Sequence, residues 1–215
     1  MTFSEEVNLV KEFSVQVCRL GGTVYFVGGY VRDKIMGISS KDIDLEIHGI
    51  TADDLEKLLD KFGKRIETGK SFGVYNLCGC SVDFALPRTE EATGARHRDF
   101  KVYKDPFIGT KKAARRRDFT INSLMENVIT GEVTDHFGGL EDIKNGVIRH
   151  IDDVSFAEDP LRIFRAAQFA ARFKFDISPQ TVDLCSKMRK ADQDGRFKRV
   201  PPFQSKNDGL RWKDG

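Results

Sequence analysis

The sequence has no long apolar run and few cysteines. No apolar stretch in its 215 residues approaches the roughly 20 residues that a membrane span requires, and the N-terminus has neither the apolar core nor the cleavage site of a signal peptide. The spacing of the four cysteines fits neither a Cys-x-x-Cys zinc site nor a disulfide framework, so we expect free thiols. These absences argue against a membrane-spanning protein and predict a cytoplasmic location.

Net charge is also small, because 35 lysines and arginines are matched by 33 aspartates and glutamates. Total charge is therefore a poor guide to partners, but its distribution is informative. Basic residues concentrate between Lys101 and Arg117 and again between Lys187 and Arg199. Such runs are most often solvated faces, and they are also what a polyanion-binding protein needs for phosphate contacts.

The most informative stretch joins a glycine pair to two aspartates. A predicted strand at Thr23–Val27 runs into Gly28-Gly29, and a second predicted strand carries Asp42 and Asp44. Side chains two residues apart on a strand share a face, so the two carboxylates project together. Buried carboxylates without a partner are costly, and Mg²⁺ is a natural partner because it prefers oxygen ligands.

The glycine pair complements these carboxylates. Without side chains, Gly28 and Gly29 let backbone N–H groups approach a triphosphate, and the helical pattern that follows offers its positive end to the same charge. Alone, an Asp-x-Asp or a Gly-Gly is usually a simple turn. Their combination with two strands and a short helix is much less common, and it resembles the signature of the DNA polymerase β-like nucleotidyltransferases.

Sites of that kind often take a third carboxylate from a neighbouring strand. Asp83, in a strand predicted at residues 81–85, is the candidate by position. The alternative is an aspartate that ends an edge strand or pairs with Arg88, and the sequence leaves both interpretations open.

A second informative stretch contains three consecutive arginines followed by Asp118. Three adjacent arginines cover both faces of any element, so at least one points towards the protein and needs an anionic partner. A triphosphate is such a partner, with the bidentate geometry that guanidinium favours. Asp118 then offers an acceptor for a ribose hydroxyl. The alternative is a plain basic helix entry with Asp118 as its N-cap.

A third informative stretch predicts a helix that begins at Asp159 and Pro160. We predict an apolar stripe of Ile163, Ala166, Ala167, Ala170 and Phe173. Asp159 and Arg162 are three residues apart and share a face, where an acceptor beside a fork of donors can read a base edge. The alternative is an ordinary ion pair within the helix.

Two further segments carry weaker signals. Residues 87–110 have few periodic features and many charges, so we expect a long surface loop. The sequence has no clear periodicity after about Met188, and residues 191–215 are predicted to form an irregular basic tail.

Together, the three stretches resemble the class II tRNA nucleotidyltransferase and poly(A) polymerase family, most closely its bacterial CCA-adding members. The resemblance covers roughly residues 20–175. It implies an α+β fold: a polymerase β-like nucleotidyltransferase head with a mixed sheet at residues 1–150, followed by an incomplete helical neck at residues 151–190. Family members normally continue through further helical domains, so the chain is expected to be truncated or diverged.

The resemblance also implies roles for individual residues. Triphosphate and two metal ions are expected at Gly28, Gly29, Arg32, Asp33, Asp42 and Asp44, with Asp42, Asp44 and Asp83 as the catalytic carboxylates. The incoming nucleotide and its ribose are expected at Arg116, Arg117 and Asp118. The base of CTP or ATP is expected at Glu158, Asp159 and Arg162, with Arg165 also among the nucleotide-binding residues.

The expected function is template-independent addition of C and A to tRNA 3′ ends from CTP and ATP, with Mg²⁺ as cofactor. Poly(A) polymerases and separate CC-adding or A-adding enzymes share these motifs and are the alternatives. A different class of function, a truncated and non-catalytic nucleotide- or RNA-binding fragment, is favoured by the short C-terminus and opposed by the intact acidic pair. No protein partner is inferred.

Overall fold

The structure is a computed structural model that describes residues 1–40, 42–68, 74–92 and 100–193. In its first half, helices and strands alternate as far as α3 and are followed by five strands. The elements in order are α1 (Phe3–Arg19), β1 (Thr23–Val27), α2 (Gly29–Ile35), β2 (Ile43–His48), α3 (Ala52–Phe62), β3 (Arg65–Thr68), β4 (Val74–Leu77), β5 (Val82–Ala85), β6 (Arg88–Ala92) and β7 (Phe100–Lys104).

The second half is mostly helical. Its elements are α4 (Thr110–Arg115), a 3₁₀ turn (Thr120–Asn122), β8 (Met125–Asn127), β9 (Val133–Thr134), α5 (Gly139–Asn145), β10 (Val147–Ile148), α6 (Asp153–Ala157), α7 (Leu161–Phe173), β11 (Asp176–Ile177) and α8 (Pro179–Gln193). Among the described residues, no helix is long and apolar enough to cross a membrane.

Seven of the strands form one mixed sheet in the order β3-β4-β5-β2-β1-β8-β9. β2 and β5 run parallel, whereas the other neighbouring pairs are antiparallel. The parallel register sets Asp44 opposite Asp83. The predicted mixed sheet is therefore confirmed, and it places two of the candidate carboxylates on adjacent strands.

The sheet is covered by α1 and α3. A capping box between Thr2 and Glu5 begins α1, and Phe13 on its apolar face meets Phe84 of β5 edge-on at 5.0 Å between ring centroids. β2 alternates as its sequence predicts, so its apolar side chains enter this core and its acidic ones face away. The buried apolar residues from α1 and β2 are Val10, Phe13, Val17, Ile43, Leu45 and Ile47.

A second apolar core lies between the 3₁₀ turn region and the last helices. The ring of Phe119 packs edge-on against Phe156 and Phe169, each with ring centroids 5.7 Å apart. Phe119 directly follows Asp118, and Phe169 lies on α7, so this core fixes α7 beside the arginine stretch. Ala167, predicted in the apolar stripe of α7, is exposed, and Phe169 is buried instead.

Other local predictions also differ from the structure. The segment predicted as a long loop contains the antiparallel pair β6 and β7, while residues 93–99 of that segment lie outside the described residues. Helix α7 begins one residue later than predicted, with Pro160 rather than Asp159 as its N-cap residue. Helix α8 continues to Gln193, and residues 194–215 lie outside the described residues.

Candidate active site

The predicted carboxylates gather at the β2–β5 pair. Asp44 lies in β2 directly opposite Asp83 of β5, and Asp42 immediately precedes β2. Burial raises the pKa of the Asp44 carboxyl; Arg117 opposes this shift, and the charges of Asp83 and Asp42 add to it. The charge of Asp44 is thus disfavoured beside two other carboxylates, and a bound cation would relieve that repulsion.

These residues fit Mg²⁺ held partly by a substrate rather than a closed protein cage. In the described part of the chain, no three His, Cys, Asp or Glu side chains are grouped so as to hold a metal by themselves. Mg²⁺ is commonly bound by one or two carboxylates together with substrate phosphates, and Asp42 and Asp44 offer that donor set. The side-chain amide of Asn76 donates a hydrogen bond to Asp83 and thereby orients the third carboxylate.

The glycine turn lies against these carboxylates. Gly28 directly follows β1 and has a φ of 68°, in the left-handed region that glycine tolerates best. A Cβ at Gly28 would lie 3.0 Å from Nη1 of Arg117 and 3.5 Å from Oδ2 of Asp44. The absence of a side chain here therefore leaves room between a guanidinium and a carboxylate, beside the first turn of α2.

The inward arginines meet an anion that belongs to the protein. Nη2 of Arg116 and Nη2 of Arg117 lie 3.5 and 3.7 Å from Oε2 of Glu46, and Nε2 of His48 lies 2.9 Å from Oε1 of the same carboxylate. Burial disfavours the charge on Glu46, but His48 and the two arginines outweigh it and lower the pKa of Glu46 to about 2. Arg115 points outward and pairs with Asp152 at 2.6 Å.

The sequence analysis assigned no role to Glu46. The inward arginines do have an anionic partner, as expected, and this partner is Glu46. The signal that identifies Glu46 is its position two residues beyond Asp44 on the same strand face.

Arg32 and Asp33 face α7 rather than open solvent. Arg32 is buried; its Nε donates to Asp33 at 2.8 Å and its Nη1 to Oδ1 of Asn122 at 2.6 Å. Its guanidinium carbon lies 5.2 and 4.8 Å from the ring centroids of Phe169 and Phe173. Burial lowers the pKa of Arg32, and its contact with Asp33 opposes that shift.

Asp118 is buried and held by several donors. Its Oδ2 accepts from Nε of Arg165 at 2.7 Å, and its Oδ1 accepts from Nδ2 of Asn122 at 2.9 Å. Asn122 therefore links Asp118 to Arg32. The sequence analysis missed this residue, although it belongs to the arginine stretch that was singled out.

The predicted base-reading residues lie where the chain passes from α6 to α7. Arg162 donates from Nη1 to the carbonyl of Ser155 and from Nη2 to the carbonyl of Arg116, each at 2.8 Å. Asp159 accepts from the backbone N–H of Leu161 at 3.0 Å, and Glu158 is exposed. Arg162 and Arg165 thus tie α7 to the arginine stretch, and the predicted base contacts stay predictions.

A mixed sheet that joins paired carboxylates, a Gly-Gly turn and inward arginines defines a nucleotidyltransferase head. The sequence pattern of the poly A polymerase head domain family matches residues 24–149, more than half of the chain. The chain belongs to this family.

Curated relatives agree with this assignment. The multifunctional CCA protein of Chromobacterium violaceum is 40% identical over 165 residues, which are 77% of this chain and 39% of that protein. The CCA-adding enzyme of Coxiella burnetii (strain RSA 331) is 37% identical over 166 residues, which are 77% of this chain and 42% of that protein. The chain thus spans about two fifths of the length of these relatives.

Solved structures share the fold over most of the chain. An apo form of a CCA-adding enzyme superposes with a TM-score of 0.74 at 34% identity. The match covers 88% of this chain and 44% of the enzyme chain. A CCA-adding enzyme in complex with ATP gives 0.68 at 33% identity, covering 90% and 42%. The Thermotoga maritima enzyme in complex with tRNA gives 0.70 at 30% identity, covering 91% and 47%.

Proposed function

We propose that this chain carries the catalytic head of a template-independent tRNA nucleotidyltransferase, which adds C and A to tRNA 3′ ends from CTP and ATP. One observation carries the proposal: Asp44 lies opposite Asp83 and beside the Gly28 turn that Arg117 approaches. Carboxylates, a bare backbone turn and a guanidinium at one point match the needs of nucleotidyl transfer. The names of the relatives support CCA addition as the reaction.

Each group of residues has a proposed task. Gly28 and Gly29 let the triphosphate approach the backbone, Arg32 and Asp33 support the start of α2, and Arg116 and Arg117 bind phosphate oxygens. Asp118 accepts a hydrogen bond from the ribose. A larger set selects the base from the α6–α7 junction: Glu158, Asp159, Arg162 and Arg165.

We propose that Asp42 and Asp44 hold Mg²⁺, with Asp83 as the third carboxylate beside them. When bound, Mg²⁺ would activate the tRNA 3′-hydroxyl and stabilise the leaving pyrophosphate. The carboxylates position the reacting oxygens, and the inward arginines neutralise charge on the phosphates during the in-line displacement.

We also propose the division of the chain into a head at residues 1–150, the start of a neck at residues 151–190 and a tail from residue 191. The presence of two separate apolar cores supports this division, because the first packs the sheet against α1 and α3 and the second gathers the helices after residue 150. A cytoplasmic location follows from the proposed substrates, which are tRNA, CTP and ATP.

The proposal is tested on three tRNA acceptors that end before the CCA sequence, after its first C and after its second C. Labelled CTP and ATP are supplied singly and together, with Mg²⁺. We expect CTP to extend the first two acceptors and ATP to extend the third, and sequencing of the product gives a single CCA end. ATP addition to the third acceptor alone would instead identify an A-adding enzyme, and repeated ATP addition to all three a poly(A) polymerase.

A second candidate function is nucleotide binding without transfer. The observation that favours it is the length of the chain, which spans 39% of the Chromobacterium violaceum relative. This candidate predicts that CTP and ATP bind to the chain while none of the three acceptors is extended.

A further inference from the structure

Resting on the proposed function, we propose that Glu46 is a positioning residue that holds Arg117 and Arg116 at the triphosphate site. It differs from Asp42 and Asp44, which lie on the same strand face but are proposed to hold metal. The acidic face of β2 would then have two tasks, with its first two carboxylates serving the metal and its third serving the arginines.

The position of Glu46 allows it to act on both arginines at once. Its side chain is 2% exposed, and its Oε2 faces the Nη2 atoms of Arg116 and Arg117 at 3.5 and 3.7 Å. His48 occupies the other carboxylate oxygen, with Nε2 at 2.9 Å from Oε1.

Arg117 connects Glu46 to the glycine turn. Its Nη2 approaches Glu46, while its Nη1 lies 3.0 Å from the place where a Cβ on Gly28 would stand. One planar guanidinium thus touches the anchoring carboxylate on one side and borders the predicted phosphate turn on the other. Because the guanidinium is planar and its N–H donors have fixed directions, holding Nη2 at Glu46 also fixes the direction in which Nη1 points.

Removing the anchor would change where the arginines lie. The side chain of Arg117 is only 18% exposed, and a largely buried guanidinium needs an anion beside it. Without Glu46, the free energy would be lower if the long, flexible side chain of Arg117 turned towards solvent, away from Gly28. Phosphate affinity would fall because the donors would no longer be preorganised.

The test compares the binding of CTP and of inorganic tripolyphosphate to the full 215-residue chain by calorimetry with Mg²⁺. Tripolyphosphate isolates the phosphate contacts because it carries no base or ribose. Glu46→Gln is expected to raise the Kd of both ligands by the same factor, about tenfold or more. Glu46→Asp keeps the charge but withdraws it by one methylene, and it is expected to raise both values by less.

Glu126→Gln is the matched control. Glu126 is another buried glutamate of the same sheet, with a basic partner, Lys34, at 2.5 Å, but it lies in β8 away from the arginines. Its loss should lower the unfolding temperature without changing either Kd. A merely structural role of Glu46 would make the two Gln variants behave alike.

Three results would overturn the inference. Unchanged affinity in both Glu46 variants would show that the arginines hold their places unaided, and tighter binding would show that Glu46 competes with phosphate. If Glu46→Gln does not fold, Glu46→Asp alone decides between these outcomes. Failure of the unaltered chain to bind CTP would remove the proposed function as well, which is distinguishable from a selective loss in the variants.

Discussion

At the scale of single residues, the site is a balance of buried charges. Asp44 and Asp83 oppose each other across two strands, and Glu46 faces Arg116 and Arg117 a short way along the same strand. The first pair is electrostatically unfavourable by itself and suits a bound cation. The second group is already neutralised within the protein. Two carboxylates only two residues apart on β2 therefore have different surroundings, because Asp44 faces another carboxylate and Glu46 faces two arginines.

The register of β2 and β5 makes Asp83 a testable third carboxylate. Asp83→Asn keeps the size of the side chain but removes the charge opposite Asp44, so we expect the rate of CTP incorporation to fall roughly 10- to 100-fold. Initial rates at saturating CTP and Mg²⁺ measure this effect. Asp53→Asn, which changes an exposed carboxylate on α3, should leave the rate unchanged. Normal activity of Asp83→Asn would return Asp83 to a structural role.

Glu46 gives stability a defined dependence on pH. Its pKa is about 2 in the folded chain against an ordinary value of 4.5, so its contribution is complete above about pH 4.5 and is lost as pH falls towards 2. The loss amounts to about 3 kcal/mol in the free energy of unfolding. Urea unfolding across this pH range should give a shallower dependence for Glu46→Gln, whereas Glu12→Gln on the exposed side of α1 should keep the original slope. Equal slopes in all three proteins would contradict the assignment.

Residues with local signals could be predicted, and residues defined by distant partners could not. Asp42, Asp44 and Gly28 stand within one short motif, and the strand period alone places the two aspartates together. Asn122 meets Arg32 across 90 positions of sequence, and Arg116 meets Glu46 across 70. Such contacts depend on the packing of β1, β2 and α7, which periodicity does not specify.

At the scale of elements, the contact between α2 and α7 organises the nucleotide side of the site. Arg32 at the start of α2 lies over Phe169 and Phe173 of α7, and Arg172 of the same helix lies 3.7 Å from Asp33. Cations over aromatic faces gain electrostatic attraction in addition to burial. The helix that carries Arg162 and Arg165 is thereby fixed against the glycine motif.

Phe169 is the residue on which the placement of α7 most depends. It packs against Phe119 and beneath Arg32, so Phe169→Ala should lower the free energy of unfolding by roughly 3 to 5 kcal/mol. Urea denaturation measures the change. Phe164→Ala on the same helix is the control, because Phe164 is 72% exposed and its loss should cost no more than about 0.5 kcal/mol. Equal effects of the two substitutions would show that α7 is not anchored through Phe169.

Arg162 tests the role of the α6–α7 junction in base choice. Arg162→Ala removes the donors proposed to read the base and also its bonds to two backbone carbonyls. We expect the preference for CTP and ATP over GTP and UTP to fall, as measured by competition for one tRNA acceptor. Arg189→Ala, which alters an exposed arginine on α8, is the control. An undiminished preference would remove Arg162 from base recognition.

Element prediction succeeded where a period or a cap was clear. The glycine pair between β1 and α2 and the alternation in β2 both appear in the structure. The pair β6 and β7 was missed because charged residues dominate the segment. β6 has no apolar alternation, and Phe100 and Val102 in β7 are only a short signal. On the buried face of α7, Phe169 is buried where Ala167 was predicted, because Phe169 packs against Phe119. The helical period of the sequence does not predict that contact.

At the scale of the whole molecule, the chain joins a seven-stranded sheet to a group of helices packed around the second apolar core. The head shares its fold with CCA-adding enzymes over most of the chain, whereas the chain spans less than half of their length. All of the proposed chemical groups lie within the described residues. We therefore expect this chain to catalyse nucleotidyl transfer, at a rate that depends on how tightly it binds tRNA.

The most direct measurement is the release of pyrophosphate from labelled CTP by the full chain with tRNA that lacks its 3′ end. We expect release that requires both Mg²⁺ and tRNA and disappears in Asp44→Asn, while that variant keeps the unfolding profile of the original protein. Release that persists in Asp44→Asn would contradict the assignment of the site. The absence of release from a chain that binds CTP would contradict transfer and leave nucleotide binding as its function.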